Sequence, residues 1–235
     1  MLLAEGGKYG YWLNPVKSKL VVKPERRELA EKLFAGTGIQ IVDGAKDLGA
    51  AVGSAEFVRK YWSSTVELWS RLVVRLAQFA KTQPHAALWG FKAVLRNEWK
   101  FGMRMERSLS QLLEHLEEAI RDVFLPALFG SYIDMSDDFR ALLALPTHCA
   151  GMDLDNPVKL ASLVFADATA MARMQKVLLL ASSHEEVDEN EYQAVRDVCR
   201  ARRRTEQNKS LAELKLRASV SAPALSRARR TSIRL

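Results

Sequence analysis

The stretch GYWLNPVKSKLVV occupies residues 10–22 and decides how the first part of the chain is expected to fold. Its glycine and its Asn-Pro pair indicate a loop, and the apolar, β-branched run at residues 20–22 indicates a strand that follows the loop. Lys17 lies between the two, on what we interpret as a lysine-bearing hairpin. Composition alone assigns no function to this segment.

The next residues predict a small β-α-β unit followed by a tight hairpin. PERRELAEKLF at residues 24–34 begins with proline and places its apolar residues on one face, which is typical of a short helix. Two glycines end that helix, and residues 39–42 predict a second strand. KDLGAAVG at residues 46–53 predicts a second hairpin that depends on its glycines.

From Ser54 onward the apolar period becomes that of helices. Apolar side chains follow Ser54 at alternating spacings of four and three, which predicts one long helix ending near Pro84. The positions in this stripe are Val58, Trp62, Thr65, Trp69, Leu72, Leu76 and Phe79. Further helices are predicted from Pro84, around residues 112–124, from Ser136, after Asn156-Pro157 and over residues 191–216. The predicted fold class is therefore mainly α with a small N-terminal α+β piece.

The tryptophans on these helices are interpreted as packing residues. Trp62, Trp69, Trp89 and Trp99 all fall at positions that helical spacing predicts to face the core. A packing role is preferred over one in which the indole rings stack on nucleic-acid bases.

The positive charge is concentrated at the C-terminal end. The net charge is +7, and the residues from Arg196 onward carry 12 basic against three acidic side chains, a local charge of +9. The strongest cluster there is Arg200, Arg202, Arg203 and Arg204, and Arg71 and Arg75 lie on the outer face of the long helix. Arginine runs bind phosphates without reading sequence. The alternatives are a solvated helix face or, for the cluster, a localisation signal.

Several classes of protein are excluded by what the sequence lacks. There is no apolar run of 18 residues and no signal-peptide pattern, so we expect an intracellular protein, nuclear or cytoplasmic, without a membrane partner. The two cysteines and four histidines lack metal-ligand spacing, and no phosphate-loop or nucleophile-elbow motif occurs. No metal and no cofactor is predicted for this chain itself.

Residues 10–22 and 46–53 together resemble the end of the palm in reverse transcriptases of the retrotransposon type. The family pattern G-x-x-x-N-x-x-K-[ST] and the Leu-Gly hairpin that follows it are matched by Gly10, Asn14, Lys17, Ser18, Leu48 and Gly49. The resemblance implies that Lys17 lies near the triphosphate and neutralises charge on the leaving pyrophosphate. It also implies that Leu48 and Gly49 grip the primer. The alternatives are a surface lysine beside a turn and a glycine that only shapes the hairpin.

A second stretch, LLALPTHCAGMDLDNPV at residues 142–158, resembles a segment downstream of the polymerase core in the same family. The family pattern is L-L-x-L-P-x-x-x-G-G-L-G-I-x-N-P. Here Ala150 replaces the first glycine, and Asp153-Leu154 stands where Gly-Ile is expected. Gly151 retains the second glycine, so we expect the backbone turn to survive through it.

The resemblance implies an organisation and an activity for the parent protein. Residues 1–53 are interpreted as a palm remnant with the lysine loop and the Leu-Gly hairpin, 54–130 as a helical thumb-like region, 131–216 as a helical post-thumb region and 217–235 as a disordered basic tail. Full-length relatives perform RNA-directed DNA synthesis with two Mg²⁺ ions, which are implied for the parent only. The chain begins after the family's Y-x-D-D turn, so we expect it not to polymerise alone. Its expected partners are RNA or DNA and the missing N-terminal fingers and palm.

Two other functions are compatible with the same residues. One is a stand-alone helical nucleic-acid-binding module in which the basic C-terminal region binds the polyanion. The other is a helical protein-interaction protein in which the tryptophan-rich stripe docks onto a partner helix.

Overall fold

A computed structural model of the chain describes residues 6–10, 12, 14–130, 135–180 and 189–217. The chain is mainly helical, with a small strand-containing piece near its N-terminus, as the sequence predicts. It divides into two compact units, Met1–Ser64 (unit 1) and Thr65–Leu235 (unit 2), and the division falls inside one long helix. The divisions predicted at residues 53, 130 and 216 stay predictions, and residues 218–235 of the predicted tail lie outside the described residues.

Unit 1 contains the predicted β-α-β arrangement. Strand β1 is Lys19–Val21, helix α1 is Arg27–Leu33 and strand β2 is Gln40–Val42. The two strands pair in parallel, with Leu20 opposite Ile41. The lysine-bearing hairpin is a wrong prediction as far as the described residues go, because Pro15–Lys17 forms a single 3₁₀ turn and the strand after it, β1, pairs in parallel with β2. Proline at the first position of that turn has its φ already fixed for a helical turn.

The second predicted hairpin of unit 1 is present. Strands β3, Gly44–Asp47, and β4, Ala50–Gly53, are antiparallel and are joined by Leu48 and Gly49 alone. Both turn residues have positive φ, 45° for Leu48 and 87° for Gly49. This is the type I′ turn that matches the twist of a two-residue hairpin.

Most of the chain is α-helix. The long helix α2, Ala55–Ala80, contains the boundary between the units. The other helices are α3, Pro84–Gly90; α4, Arg96–Met105; α5, Glu114–Glu118; α6, Leu125–Phe129; α7, Asp137–Ala144; α8, Pro157–Leu180; and α9, Glu189–Arg217. Two π-helical segments, Phe91–Leu95 and Ala119–Phe124, join α3 to α4 and α5 to α6. Within the described residues, no helix combines the length and apolarity needed to cross a bilayer.

Three helices begin directly after a capping residue that can be recognised in the sequence. In each case a side-chain oxygen of the residue before the helix accepts a backbone N–H from the first turn, which would otherwise lack a partner. The pairs are Ser54 with Phe57 at 3.2 Å, Ser136 with Phe139 at 3.3 Å and Asn156 with Lys159 at 3.1 Å.

After Trp62, the buried stripe of α2 lies one residue beyond the predicted one at every position except Trp69. The buried residues are Trp62, Val66, Trp69, Val73, Ala77 and Ala80. Phe79, which the alternating spacing places in the core, is 48% exposed, and Ala80 is 1% exposed. An alternation of four and three assumes about 3.5 residues per turn, whereas a straight α-helix has about 3.6, so the buried face drifts along the sequence.

Aromatic rings form the core of unit 2. Phe91, Trp99 and Phe124 have no exposed surface; the rings of Phe91 and Phe124 stack with centroids 4.8 Å apart, and Trp99 meets Phe91 edge-on at 5.5 Å. Trp69 is buried as predicted, but Trp89 is 69% exposed, so its predicted core position is wrong. Trp89 lies two residues before Phe91, about 200° around the helix, and therefore faces away from the core.

Candidate nucleic-acid interface

The lysine turn of unit 1, residues 14–18, is held by its own side chains. Asn14 Oδ1 accepts the backbone N–H of Lys17 at 3.2 Å, and Ser18 Oγ donates to the carbonyl of Asn14 at 2.9 Å. The carbonyl of Ser18 accepts the N–H of Gln40 at 3.1 Å, which ties the turn to β2. Lys17 is exposed. Asn14 and Ser18 thus shape the turn, and the lysine side chain is left accessible to an anion.

The Leu-Gly hairpin presents an apolar tip. Leu48 is 90% exposed in a left-handed conformation that non-glycine residues seldom adopt. The hydroxyl of Tyr61, in the early turns of α2, donates to the carbonyl of Gly49 at 3.2 Å and so fixes the turn against the helix. Because β1 adjoins β3, the lysine turn and this hairpin belong to neighbouring parts of one small unit.

The predicted binding arginines of α2 are accessible. Arg71 and Arg75 are exposed and lie one helical turn apart. Arg71 Nη1 lies 3.5 Å from Glu67 Oε1, and both side chains are about two-thirds exposed, at 65% and 69%. Such an exposed pair contributes little stability, so a phosphate can replace the carboxylate at small cost.

The predicted arginine cluster of α9 contains an exposed row. Arg196, Arg200 and Arg204 follow one another every four residues and are all exposed; we call them the arginine row. Arg200 Nη1 donates to Asp197 Oδ1 at 3.0 Å. Hydrogen bonds from Gln193 and Arg200 lower the pKa of Asp197, so this carboxylate stays ionised below the usual range. The row is a strip of positive charge along one side of a helix.

The other two predicted arginines have an internal partner. Arg202 Nη1 donates to Asp167 Oδ1 at 3.3 Å, and Arg203 Nε donates to Asp167 Oδ2 at 2.7 Å. Asp167 belongs to α8 and is 4% exposed. The tertiary structure therefore divides the cluster into the arginine row and a pair that is also exposed but connects α9 to α8 through Asp167. No sequence pattern indicated that pairing, because the partners lie on different helices.

The loop between α7 and α8, residues 145–156, has left-handed backbone at two positions and no room for a side chain at a third. Ala150 and Asp153 adopt left-handed φ values of 64° and 58°. Between them Gly151 is buried, and a Cβ at that position would overlap the carbonyl oxygen of Leu145. We call this segment the glycine loop.

A buried arginine fastens the glycine loop. Arg140 is 4% exposed, and its Nε and Nη2 donate to the two carboxylate oxygens of Glu117 at 2.6 and 2.8 Å. The same guanidinium donates to the carbonyls of Leu154 at 2.8 Å and Asp155 at 3.1 Å. Burial raises the pKa of Glu117, and the hydrogen bonds and charge of Arg140 act in the opposite direction. The guanidinium therefore counteracts the effect of burial on this carboxyl group while it fixes the loop.

Three cationic side chains on the π-helical segment Phe91–Leu95 and on α4 also hold the loop. Lys92, Arg96 and Lys100 recur every four residues, and Arg96 Nη1 lies 2.7 Å from Asp153 Oδ2. Lys92 Nζ donates to the carbonyl of Met152 at 3.1 Å, and Lys100 pairs with Asp155. Sequence reasoning missed these residues, although their spacing places three positive charges on one helix face.

A cleft of about 600 Å³ in unit 2 borders these clamps. Its walls carry both basic and acidic side chains, among them Arg104, Lys159, Glu206 and Glu213. Mixed charge suits a polyanion less well than the arginine row does. Among the described residues, no group of three or more His, Cys, Asp or Glu side chains could hold a metal ion.

No protein-family model, no curated protein and no solved structure matches this chain.

Proposed function

We propose that this chain is the C-terminal part of a retrotransposon-type reverse transcriptase, and that it holds nucleic acid through a thumb-like helical region following a palm remnant. The catalytic aspartates and the two Mg²⁺ ions belong to the parent polymerase. This chain is expected to bind RNA or DNA and not to extend a primer alone.

The glycine loop carries the proposal. The family pattern has glycine at three positions, which correspond here to Ala150, Gly151 and Asp153. Two of the three have left-handed φ, and the third has no room for a Cβ. These are the two reasons why a backbone needs glycine. The three glycine positions of the family pattern are thus positions where the backbone of this loop favours glycine, although two of them now carry another residue.

The lysine turn supports the same proposal. Asn14, Lys17 and Ser18 are the matched residues of the first pattern, and two of them form the hydrogen bonds that shape the turn bearing the third. A side chain that carries charge to a triphosphate has to be exposed, and Lys17 is exposed.

Leu48 adds a third line of support. Type I′ turns favour Asn or Asp before glycine, and a leucine with positive φ at the tip lowers the stability of the hairpin. Strain combined with 90% exposure is explained if the apolar side chain contacts a ligand such as the sugar face of a primer.

The test is a fluorescence-anisotropy titration of the purified chain with an RNA–DNA primer–template at several salt concentrations, with and without Mg²⁺, beside a primer-extension assay. We expect salt-sensitive binding and no extension. Replacing Arg200 and Arg204 together with Gln should weaken binding and reduce the slope of log affinity against log salt by roughly two.

Arg173→Gln provides a matched control, because this exposed arginine of unit 2 lies on α8, outside the proposed interface. It should leave both affinity and salt slope near their original values. Binding that ignores salt, or that falls equally in Arg173→Gln, would contradict the proposed interface. Extension by the purified chain would contradict the assignment of the catalytic carboxylates to the parent alone.

The arginine row favours a second candidate, the stand-alone helical nucleic-acid-binding module. The two proposals differ in what they expect of unit 1. Leu48→Ala should weaken binding of a primer–template several-fold if the hairpin grips a primer, and should have no effect if the arginines of unit 2 bind alone. Lys17→Ala should leave affinity for a primer–template without nucleotide unchanged in both cases.

The protein-interaction alternative finds less support. It needs the tryptophan-rich stripe of α2 to be available to a partner helix. Trp62 is 2% exposed and Trp69 is 5% exposed, so these side chains do not offer such a surface.

A further inference from the structure

Asp167 is a buried carboxylate that is paired with two of the arginines proposed to bind nucleic acid. Its carboxylate is 6% exposed and receives one guanidinium on each oxygen. Arg202 and Arg203 are themselves 45% and 48% exposed. Two cations therefore share one buried anion while remaining accessible to solvent.

We propose that the Asp167 carboxylate competes with nucleic-acid phosphates for Arg202 and Arg203, so that the chain binds a polyanion more weakly than its arginines allow. The inference rests on the proposed nucleic-acid-binding function and adds an internal restraint to it. Asp167 acts through the two arginines and is not itself a binding residue.

The geometry makes a phosphate the natural competitor. The bonds to Asp167 use Nη1 of Arg202 and Nε of Arg203, whereas each guanidinium carries five N–H donors arranged for bidentate recognition of carboxylate or phosphate. Arg200 and Arg204 of the arginine row flank the pair along α9, so a phosphate that reaches Arg203 is already close to further positive charge.

The surroundings of Asp167 explain why the restraint is partial. If both arginines leave, a buried carboxylate loses its charged partners, which is costly. Its buried neighbour Cys199 supplies no positive charge in their place: burial and the adjacent Asp167 charge raise the pKa of the thiol, which therefore stays neutral. Nucleic acid is therefore expected to draw on the free donors of the two arginines first and to loosen the bonds to Asp167 as binding tightens.

The test compares Asp167→Asn with Asp167→Glu, which keeps the charge, and with Glu213→Gln, which makes the same charge change at an exposed position on α9. Asp167→Asn should bind a single-stranded oligonucleotide several-fold more tightly than the wild type, and its salt slope should steepen by roughly one phosphate contact. Asp167→Glu should stay near wild-type affinity. The gain should disappear when Arg202 and Arg203 are also replaced with Gln.

A measurement on the wild-type chain keeps the proposal testable if Asp167→Asn does not fold. The Nε–Hε NMR resonance of Arg203, whose Nε donates to Asp167, should shift as the oligonucleotide is added. An unshifted resonance at saturation overturns the competition, and so does an Asp167→Asn variant that binds no more tightly than Glu213→Gln. If neither the wild type nor Asp167→Asn binds at low salt, the proposed function itself fails and the competition with it.

Discussion

Unit 1 and unit 2 hold their candidate sites by different physical means. Among the described residues of unit 1, the buried hydrophobic side chains are Ala30, Ala50 and Trp62, whereas Trp12 is 84% exposed and Leu33 68% exposed. Its lysine turn and hairpin are shaped by hydrogen bonds between residues close in sequence. In unit 2 the glycine loop is fixed by ion pairs that reach across the sequence over a buried aromatic core.

The difference indicates which site tolerates change. A unit that buries little apolar surface has little stability to lose. Unit 2 has a large buried aromatic core, so its glycine loop should keep its conformation unless that core, the loop backbone or the buried charges are disturbed.

The largest expected effect concerns the core of unit 2. Trp99→Ala should lower the free energy of unfolding by about 4 kcal/mol, because a large buried ring is removed and the cavity cannot fully collapse. Trp89→Ala is the matched control, and removal of this 69% exposed ring should cost less than about 0.5 kcal/mol. Urea unfolding followed by circular dichroism measures both. Equal losses would mean that the two tryptophans do not differ in burial.

The next effect concerns the buried clamp. Arg140→Met should cost about 3 kcal/mol, because it leaves Glu117 as a buried charge without its guanidinium. In that variant the pKa of Glu117 rises further above its unfolded value, so stability is retained below the unfolded pKa and is lost as pH rises through the folded one. The deficit should therefore be larger at pH 7 than at pH 4.5.

The double variant Glu117→Leu with Arg140→Met tests whether the clamp acts through charge. It should recover most of the lost stability and remove the pH dependence, since neither buried charge remains. A deficit in Arg140→Met that does not vary with pH would show that the loss comes from packing instead.

The glycine loop should respond in opposite directions at adjacent positions. Gly151→Ala should cost about 2 kcal/mol, because its Cβ has no space. Ala150→Gly should raise the free energy of unfolding by roughly 0.5 kcal/mol, because the left-handed strain that it removes is larger than the entropic cost of glycine in the unfolded chain. Ala144→Gly, at the end of α7, is the control and should cost up to about 1 kcal/mol. If Ala150→Gly loses as much as Ala144→Gly, residue 150 does not have positive φ.

The smallest effect belongs to unit 1. Leu48→Asn should stabilise the hairpin by roughly 0.5 kcal/mol, because Asn-Gly suits a type I′ turn better than Leu-Gly. Amide hydrogen exchange at Lys46 and Ala51, which face each other in the hairpin, reports the gain as slower exchange. Val52→Asn makes a comparable polar substitution within β4 and should accelerate exchange. Faster exchange in Leu48→Asn would rule out strain at the turn.

The sequence by itself determined the elements whose causes lie within a few residues. Pro24 and the two glycines after α1 bound the helical segment of the β-α-β unit, Leu48-Gly49 sets the hairpin, and Asn156-Pro157 begins α8. Turn conformations and caps depend on φ preferences and on hydrogen bonds that span two to four residues, so they can be predicted from local patterns.

Residues of the same type in similar sequence contexts have different environments, and only the tertiary structure decided which is which. Trp89 and Trp99 both lie on amphipathic helices, yet one is exposed and the other buried, because the packing partner selects the face. Arg203 differs from Arg204 because it meets Asp167, 36 residues away in sequence, and Arg140 meets Glu117 across 23 residues. Such partners are set by how the helices pack against one another, and no short-range pattern contains that information.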